Sequence, residues 1–254
     1  MYEENSTFKK PENEMVKIWR YMDFTKYVSI LNKSALFFVR ANKMNDPFEG
    51  SLPQANIRAR SNIHEQPLKD ILENVSEMAK DSMQYTLINS WHMNEYESAA
   101  MWKLYLKSND GIAVQSTFTR LKDSIQDKDY SVHIGKVEYI DYNTETIPQG
   151  IPFFNPKYLP SFNFFSPTLH KRKSYEHEQE LRAITLVLPT PAPHALADHE
   201  DGKYIKTDLH TLIERVYLAP TCQDWLLDLV KSITKQYRLN KEVLRSHLDD
   251  IPSF

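Results

Sequence analysis

The stretch Lys171-Arg172-Lys173-Ser174-Tyr175-Glu176-His177-Glu178-Gln179-Glu180-Leu181-Arg182-Ala183-Ile184-Thr185-Leu186-Val187-Leu188 decides the fold reading. Its second half is nearly continuous in hydrophobicity and rich in β-formers, which predicts a strand over Leu181 to Leu188. Past Arg182 it lacks the proline and charge that guard an edge, so the strand is placed in the interior of a sheet. Side chains alternate along a strand, so an extended first half sets Glu176, Glu178, Glu180 and Arg182 on the face that Ile184, Leu186 and Leu188 continue. A core-facing row that ends in carboxylates is where partial burial perturbs their pKa values. Two other readings stay open: a helix over 171–180 that pairs Glu176 with Glu180 at i,i+4, and a solvated charge cluster at an element end.

Working outward, Ile18 to Tyr21 reads as a strand leading into a helix over Phe24 to Asn32, and Leu36 to Val39 as a buried strand. Leu68, Ile71, Leu72, Val75 and Ala79 mark an amphipathic helix. Thr86 to Trp91 is a strand, and Asn94 with Glu97 has the spacing of a helix cap before Met101, Trp102 and Tyr105. Ile112 to Gln115, Val132 to Tyr139 and Leu212 to Leu218 read as strands, and Phe118 to Ile125 as a short helix. Thr221 with Asp224 predicts a cap for a last helix striped by Leu226, Leu229, Val230, Ile233 and Tyr237. Strands and helices interleave without a linker. The expectation is one α+β domain over 1–254 with a mixed or antiparallel central sheet, flanking helices, a helical insertion at about 55–84 and a flexible N-terminus over 1–14.

Composition narrows the function. The 254 residues carry 31 Lys plus Arg against 34 Asp plus Glu, a formal charge of −3, so no basic whole-molecule field exists to hold nucleic acid. The five glycines, at 50, 111, 135, 150 and 202, stand too far apart for a Walker A loop, a GxGxxG turn or a GxSxG elbow. Cys222 stands alone, which excludes an intramolecular disulfide and any zinc site needing two thiolates. Apolar runs are short and the start Met1 to Phe8 is polar, so the chain reads as soluble and cytoplasmic.

Asn45-Asp46-Pro47-Phe48-Glu49-Gly50 has turn chemistry, with Asp46 or Glu49 facing a cleft in the functional reading. Trp91-His92 to Trp102 offers rings suited to stacking or simply to core. Lys171-Arg172-Lys173 is either a solvated face or a phosphate contact. His170, His177 and Glu178 lack a metal-site spacing, so no metal is predicted.

Taken in order, Trp19-Arg20-Tyr21, Leu36-Phe37-Phe38 to Asn45-Asp46-Pro47-Phe48-Glu49, Ser90 to Met101-Trp102 to Tyr105 to Gly111, and Tyr175-Glu176 to Glu178-Gln179-Glu180-Leu181-Arg182 resemble the bacterial domain-of-unknown-function family 2971. More distantly the chain resembles ADP-ribosyltransferases, which carry an Arg or His on a first strand, a Ser or Tyr on a middle strand and a Glu on a late strand. Arg20, Ser90 and Glu178 or Glu180 occur in that order. The resemblance implies an ADP-ribosyltransferase-like enzyme or NAD-cleaving effector, of the kind used in bacterial defence or as a toxin, with NAD as co-substrate and a protein or nucleic-acid acceptor. Glu178 and Glu180 would stabilise oxocarbenium character and Arg20 would hold ribose or phosphate. Ser90, Trp102, Tyr105, Asp46, Glu49 and Arg182 would bind substrate, with Trp102 or Tyr105 stacking on nicotinamide. Two alternatives remain: a metal-dependent nuclease using Asp46, Glu49, Glu178 and Glu180, and a non-catalytic interaction module.

Overall fold

A computed structural model describes residues 1–61, 66, 73, 76, 77, 79–105, 110–147, 165–187 and 200–250. Along the chain run β1 (Lys17–Asp23), α1 (Phe24–Lys33), β2 (Ala35–Arg40), α2 (Gln54–Ser61), β3 (Thr86–Met93), α3 (Ala99–Tyr105), β4 (Gly111–Thr117) and α4 (Phe118–Ser124). Beyond these lie β5 (His133–Lys136), β6 (Glu138–Ile140), β7 (His170–Arg172), β8 (Glu180–Leu186), β9 (Gly202–Lys206), α5 (Leu209–Leu212), β10 (Arg215–Leu218), α6 (Asp224–Gln236) and β11 (Glu242–Arg245). Among the described residues nine strands form one mixed sheet, and β6 pairs β7 in a small parallel one. This is the expected α+β class.

The deciding strand is interior, since β8 pairs β3 on one side and β5 on the other, both antiparallel. It begins at Glu180 and is described through Leu186, while Leu188 lies outside the described residues. Ala183, Ile184 and Thr185 are fully buried, whereas Leu186 is 38% exposed at the strand end.

The sheet departs from continuous pairing at one place. Strand β3 pairs β1 only through Met93 and His92, and β2 only through Ile88 and Leu87. Between these contacts the Asn89 to Trp91 edge of β3 faces a seam where β1 and β2 diverge. Side chains fill in for the missing strand: Asn89 Nδ2 donates to the Phe37 carbonyl at 2.8 Å, and Arg20 Nη1 donates to the Ser90 carbonyl at 2.8 Å. Buried backbone acceptors need such partners, so the seam is a built feature.

Several local expectations are corrected. Glu176 and Glu178 do not lie on a strand: Lys173–Glu178 is a 3-10 helix ended by Gln179 in the left-handed region at φ 40°. The alternation therefore holds only from Glu180 onward. Thr221 is not the cap of α6; the helix starts after Gln223, whose side chain makes no cap bond. Its buried face is Leu226, Val230 and Thr234, with the Thr234 hydroxyl 2.8 Å from the Tyr27 hydroxyl, while Leu229 and Tyr237 are exposed. Asn94 and Glu97 do not cap α3; Ser98 Oγ accepts from the Met101 amide at 3.3 Å, and Glu97 receives the Trp102 indole at 2.9 Å. Leu212 ends α5, and its strand starts at Arg215.

Residues 1–14, read as flexible, lie against the sheet. Tyr2 bridges Val132, and Phe8 is buried between His133 and Phe165. Of the helical insertion, α2 and positions 66, 73, 76, 77 and 79–82 are helical, whereas Leu68, Ile71, Leu72 and Val75 lie outside the described residues. So do 148–164 and 188–199.

Candidate functional site

Strand pairing sets Ser90 opposite Arg182 and His92 opposite Glu180, so these four side chains share one face of the sheet beside the seam. Arg182 is fully buried at the centre. It donates to both oxygens of Glu49 at 2.5 and 2.8 Å, to Glu180 Oε2 at 3.0 Å and to the Thr168 carbonyl at 2.5 Å. Its Nε lies 3.0 Å from Glu180 Oε1 without the alignment of a hydrogen bond. Lys171 extends the cluster, 2.5 Å from Glu178 and 3.4 Å from Glu180.

Two distant segments meet here. Asp46 Oδ1 accepts from the Phe48 amide at 3.0 Å and so closes the Asn-Asp-Pro-Phe-Glu turn, and Gly50 at φ 67° lets the chain leave once Glu49 is placed. The turn then docks on the second segment: Arg172 lies 3.3 Å from Asp46 with its guanidinium 3.9 Å from the Phe48 ring centroid, and Glu49 grips Arg182. Of the residues read from sequence as substrate-binding, Glu49 and Arg182 are thus each other's partners, and Asp46 is held by Arg172.

Charge assignments rest on this geometry. Burial alone would raise the Glu180 carboxyl, but the charges of Arg182 and Lys171 outweigh it and hold the pKa at about 2. Burial lowers Arg182 while Glu180 and Glu49 raise it further, so it stays charged. Glu180 has both oxygens committed. Glu178, on the preceding 3-10 turn, meets Lys171 through Oε2 and is the more accessible of the two, with 17% of its side chain exposed against 7%.

Arg20 sits on the other face by alternation, beside the Trp91 ring at 6.0 Å, and its guanidinium turns into the seam toward the Ser90 carbonyl. Burial lowers it to about 10, which leaves it cationic at neutral pH. Tyr105 stands at the end of α3 and is 49% exposed. Burial raises its phenol, and it then feels Glu180, Glu178, Lys171 and Arg20 at once. Trp102, by contrast, is 2% exposed and packed edge-on against Tyr21.

Three participants escape the sequence reading. Lys171, read as a solvated or phosphate-facing cation, is buried between two carboxylates because the turn at Gln179 folds Glu178 back on it. Tyr139 gives no sequence signal, yet its hydroxyl accepts the Glu180 amide at 2.8 Å. His92 Nδ1 lies 2.6 Å from the Glu178 carbonyl. A carbonyl only accepts, so Nδ1 carries the proton and Nε2 is left as a bare acceptor, buried and with no hydrogen-bond partner among the described residues. Burial holds the His92 pKa below its usual value against the Glu178 carbonyl, so the ring is neutral. A positional signal exists only in the strand register that sets His92 opposite Glu180.

Among the described residues no three His, Cys, Asp or Glu side chains are grouped to hold a metal ion, and no helix is long and apolar enough to cross a membrane. The four carboxylates of the nuclease reading are each engaged by Arg172, Arg182 or Lys171.

No protein-family model and no curated protein matches the sequence. Solved structures of DarT from Thermus sp. 2.9 are similar to it. The complex with NAD+ is 11% identical with a TM-score of 0.40, over 93% of this chain and 97% of that one. The complex with ADP-ribosylated ssDNA is 11% identical with a TM-score of 0.40, over 93% and 96%. The complex with carba-NAD+ is 10% identical with a TM-score of 0.39, over 92% and 96%.

Proposed function

We propose that the chain is an ADP-ribosyltransferase-like enzyme that cleaves the bond between nicotinamide and ribose in NAD and passes ADP-ribose to water or to a protein or nucleic-acid acceptor. The observation that carries the reading is the seam itself, where Arg20 reaches the Ser90 carbonyl at 2.8 Å from one face and Glu178 and Glu180 stand with Lys171 and Arg182 on the other. The DarT likeness, at a TM-score of 0.40, carries none of it.

In this reading Glu180, locked by Arg182, is a positioning residue, and Glu178 is the carboxylate that faces the reacting ribose. As the C1′–N bond breaks, nicotinamide leaves with the electron pair and the sugar gains oxocarbenium charge, which a nearby carboxylate stabilises. The acceptor then bonds to C1′ and gives up its proton. Arg20 holds a phosphate, and Tyr105 supplies the stacking surface that Trp102, buried as it is, does not.

The test is NAD consumption by the wild type and by Glu178→Gln, with water, protein and single-stranded nucleic acid offered as acceptors. Glu178→Gln is expected to lose a hundredfold or more in turnover, on the order of 3 kcal/mol of transition-state stabilisation. No NAD loss by the wild type with any acceptor would remove the enzymatic reading. Equal activity of the two proteins would remove Glu178 from the site.

A further inference from the structure

The bend that leads into β8 passes through Glu178, Gln179 and Glu180, and the carbonyl of each takes a donor from elsewhere in the chain. The Glu180 carbonyl accepts from the Val137 amide at 2.9 Å, and the Gln179 carbonyl from the Met93 amide at 2.8 Å. The Glu178 carbonyl lies beyond the left-handed Gln179, at φ 40°, past the end of the β3–β8 register. The next amide along β3, that of Asn94, goes instead to the Lys17 carbonyl of β1 at 3.1 Å. A side chain serves where the strand no longer does: His92 Nδ1 lies 2.6 Å from the Glu178 carbonyl.

His92 is fixed for this contact. Its ring is 5% exposed, on the strand position opposite Glu180, and packs near Tyr21 with ring centroids 6.3 Å apart. Nε2 is buried with no hydrogen-bond partner among the described residues, so the polar contact of the ring is the one through Nδ1. The residue it grips ends a 3-10 turn, a conformation with poorer hydrogen-bond geometry than an α-helix. Lys171 holds the Glu178 carboxylate at 2.5 Å, and His92 holds the backbone behind it.

We propose that His92 is a positioning residue, whose Nδ1–H holds the Glu178 backbone so that the carboxylate keeps its place at the reacting ribose. The proposal rests on the assignment of Glu178 to that role.

Two variants test it. His92→Leu keeps bulk and removes the donor, whereas His92→Asn restores one, because the amide nitrogen of asparagine stands where Nδ1 does. Hydrogen exchange reads the turn without any reaction: the Gln179 amide, bonded to the Glu176 carbonyl at 3.1 Å, is expected to exchange about fivefold faster in His92→Leu. In NAD consumption His92→Leu is expected to lose on the order of ten- to a hundredfold in kcat, with KM for NAD changed less than about twofold. His92→Asn is expected to recover most of both losses. Nitrogen-15 NMR of the wild type is expected to show His92 protonated at Nδ1 and bare at Nε2, and this needs no variant to fold. The opposite tautomer overturns the proposal, since a bare Nδ1 donates nothing. Unchanged exchange in a folded His92→Leu overturns it as well, and so does an asparagine variant as impaired as the leucine one, which would make the ring a packing element. A rise in KM with kcat unchanged would reject positioning in favour of substrate binding. If the wild type consumes no NAD, the enzymatic reading falls by itself, and exchange and tautomer still decide whether His92 holds the turn.

Discussion

Between Glu180 and Arg182 the chain buries two full charges, and over the next three residues, Ala183 to Thr185, it buries none, although all of them lie on one strand and are almost equally hidden from solvent. The apolar half gains from burial itself, at about 25 cal/mol per Å² of apolar surface, whatever its neighbours are. The charged half gains nothing from burial and holds only because Glu49, Lys171 and the Thr168 carbonyl arrive from elsewhere in the chain. One half is specified by its own composition and the other by its partners.

Removing a partner is therefore the most damaging way to break the comparison. Arg182→Met keeps the length of the side chain but strands Glu49 and Glu180 as buried carboxylates, with Lys171 left to face one of them. The expected cost is about 3 to 5 kcal/mol, read as a lowered urea midpoint. A loss below about 1 kcal/mol would mean that water reaches the cluster and that the contrast between the halves is false.

In the apolar half the contrast is between neighbours on the same face. Ile184 is fully buried and Leu186 is 38% exposed. Ile184→Ala is expected to cost about 2 to 5 kcal/mol through lost transfer energy and a cavity, and Leu186→Ala clearly less. Equal losses would show that Leu186 is packed as tightly as Ile184.

The same division explains what is legible in the sequence. The strand expected over 181–188 and found over 180–186 is legible in its continuous hydrophobicity and β-formers, and the existence of α6 in its local period, because side chains three or four apart must share a face to be buried. The first half of the deciding stretch departs from its expected alternation between Glu176 and Gln179 because the left-handed Gln179 interrupts it, and nothing in a glutamine announces this. The two family-like motifs are each visible, but not that Asp46 meets Arg172 and Glu49 meets Arg182, contacts that span more than 120 residues. Thr221 misleads as a cap for the opposite reason: a residue of the right type stands three positions before the first helical residue, and α6 starts without a side-chain cap.

The smallest expected effect sharpens the comparison through pH. Glu180 has its folded pKa held at about 2 against 4.5 for a free glutamate, so its charge stabilises the fold fully above pH 4.5, and that stability drains away as pH falls from there toward 2. Between pH 6 and pH 4 the linkage amounts to about 1 kcal/mol. His92, whose folded pKa lies below its usual value, also costs stability as pH falls below its unfolded value near 6.5, so the wild-type curve alone does not isolate Glu180. Comparing wild type with Glu180→Gln does, because the His92 contribution is common to both. The amide removes the titration whatever it does to the absolute stability, so the variant's stability should fall by about 1 kcal/mol less than the wild type's over that interval, measured by urea unfolding at pH 6 and pH 4. Parallel curves would mean that Glu180 titrates alike in folded and unfolded chains, which a carboxylate fixed between Arg182 and Lys171 cannot do.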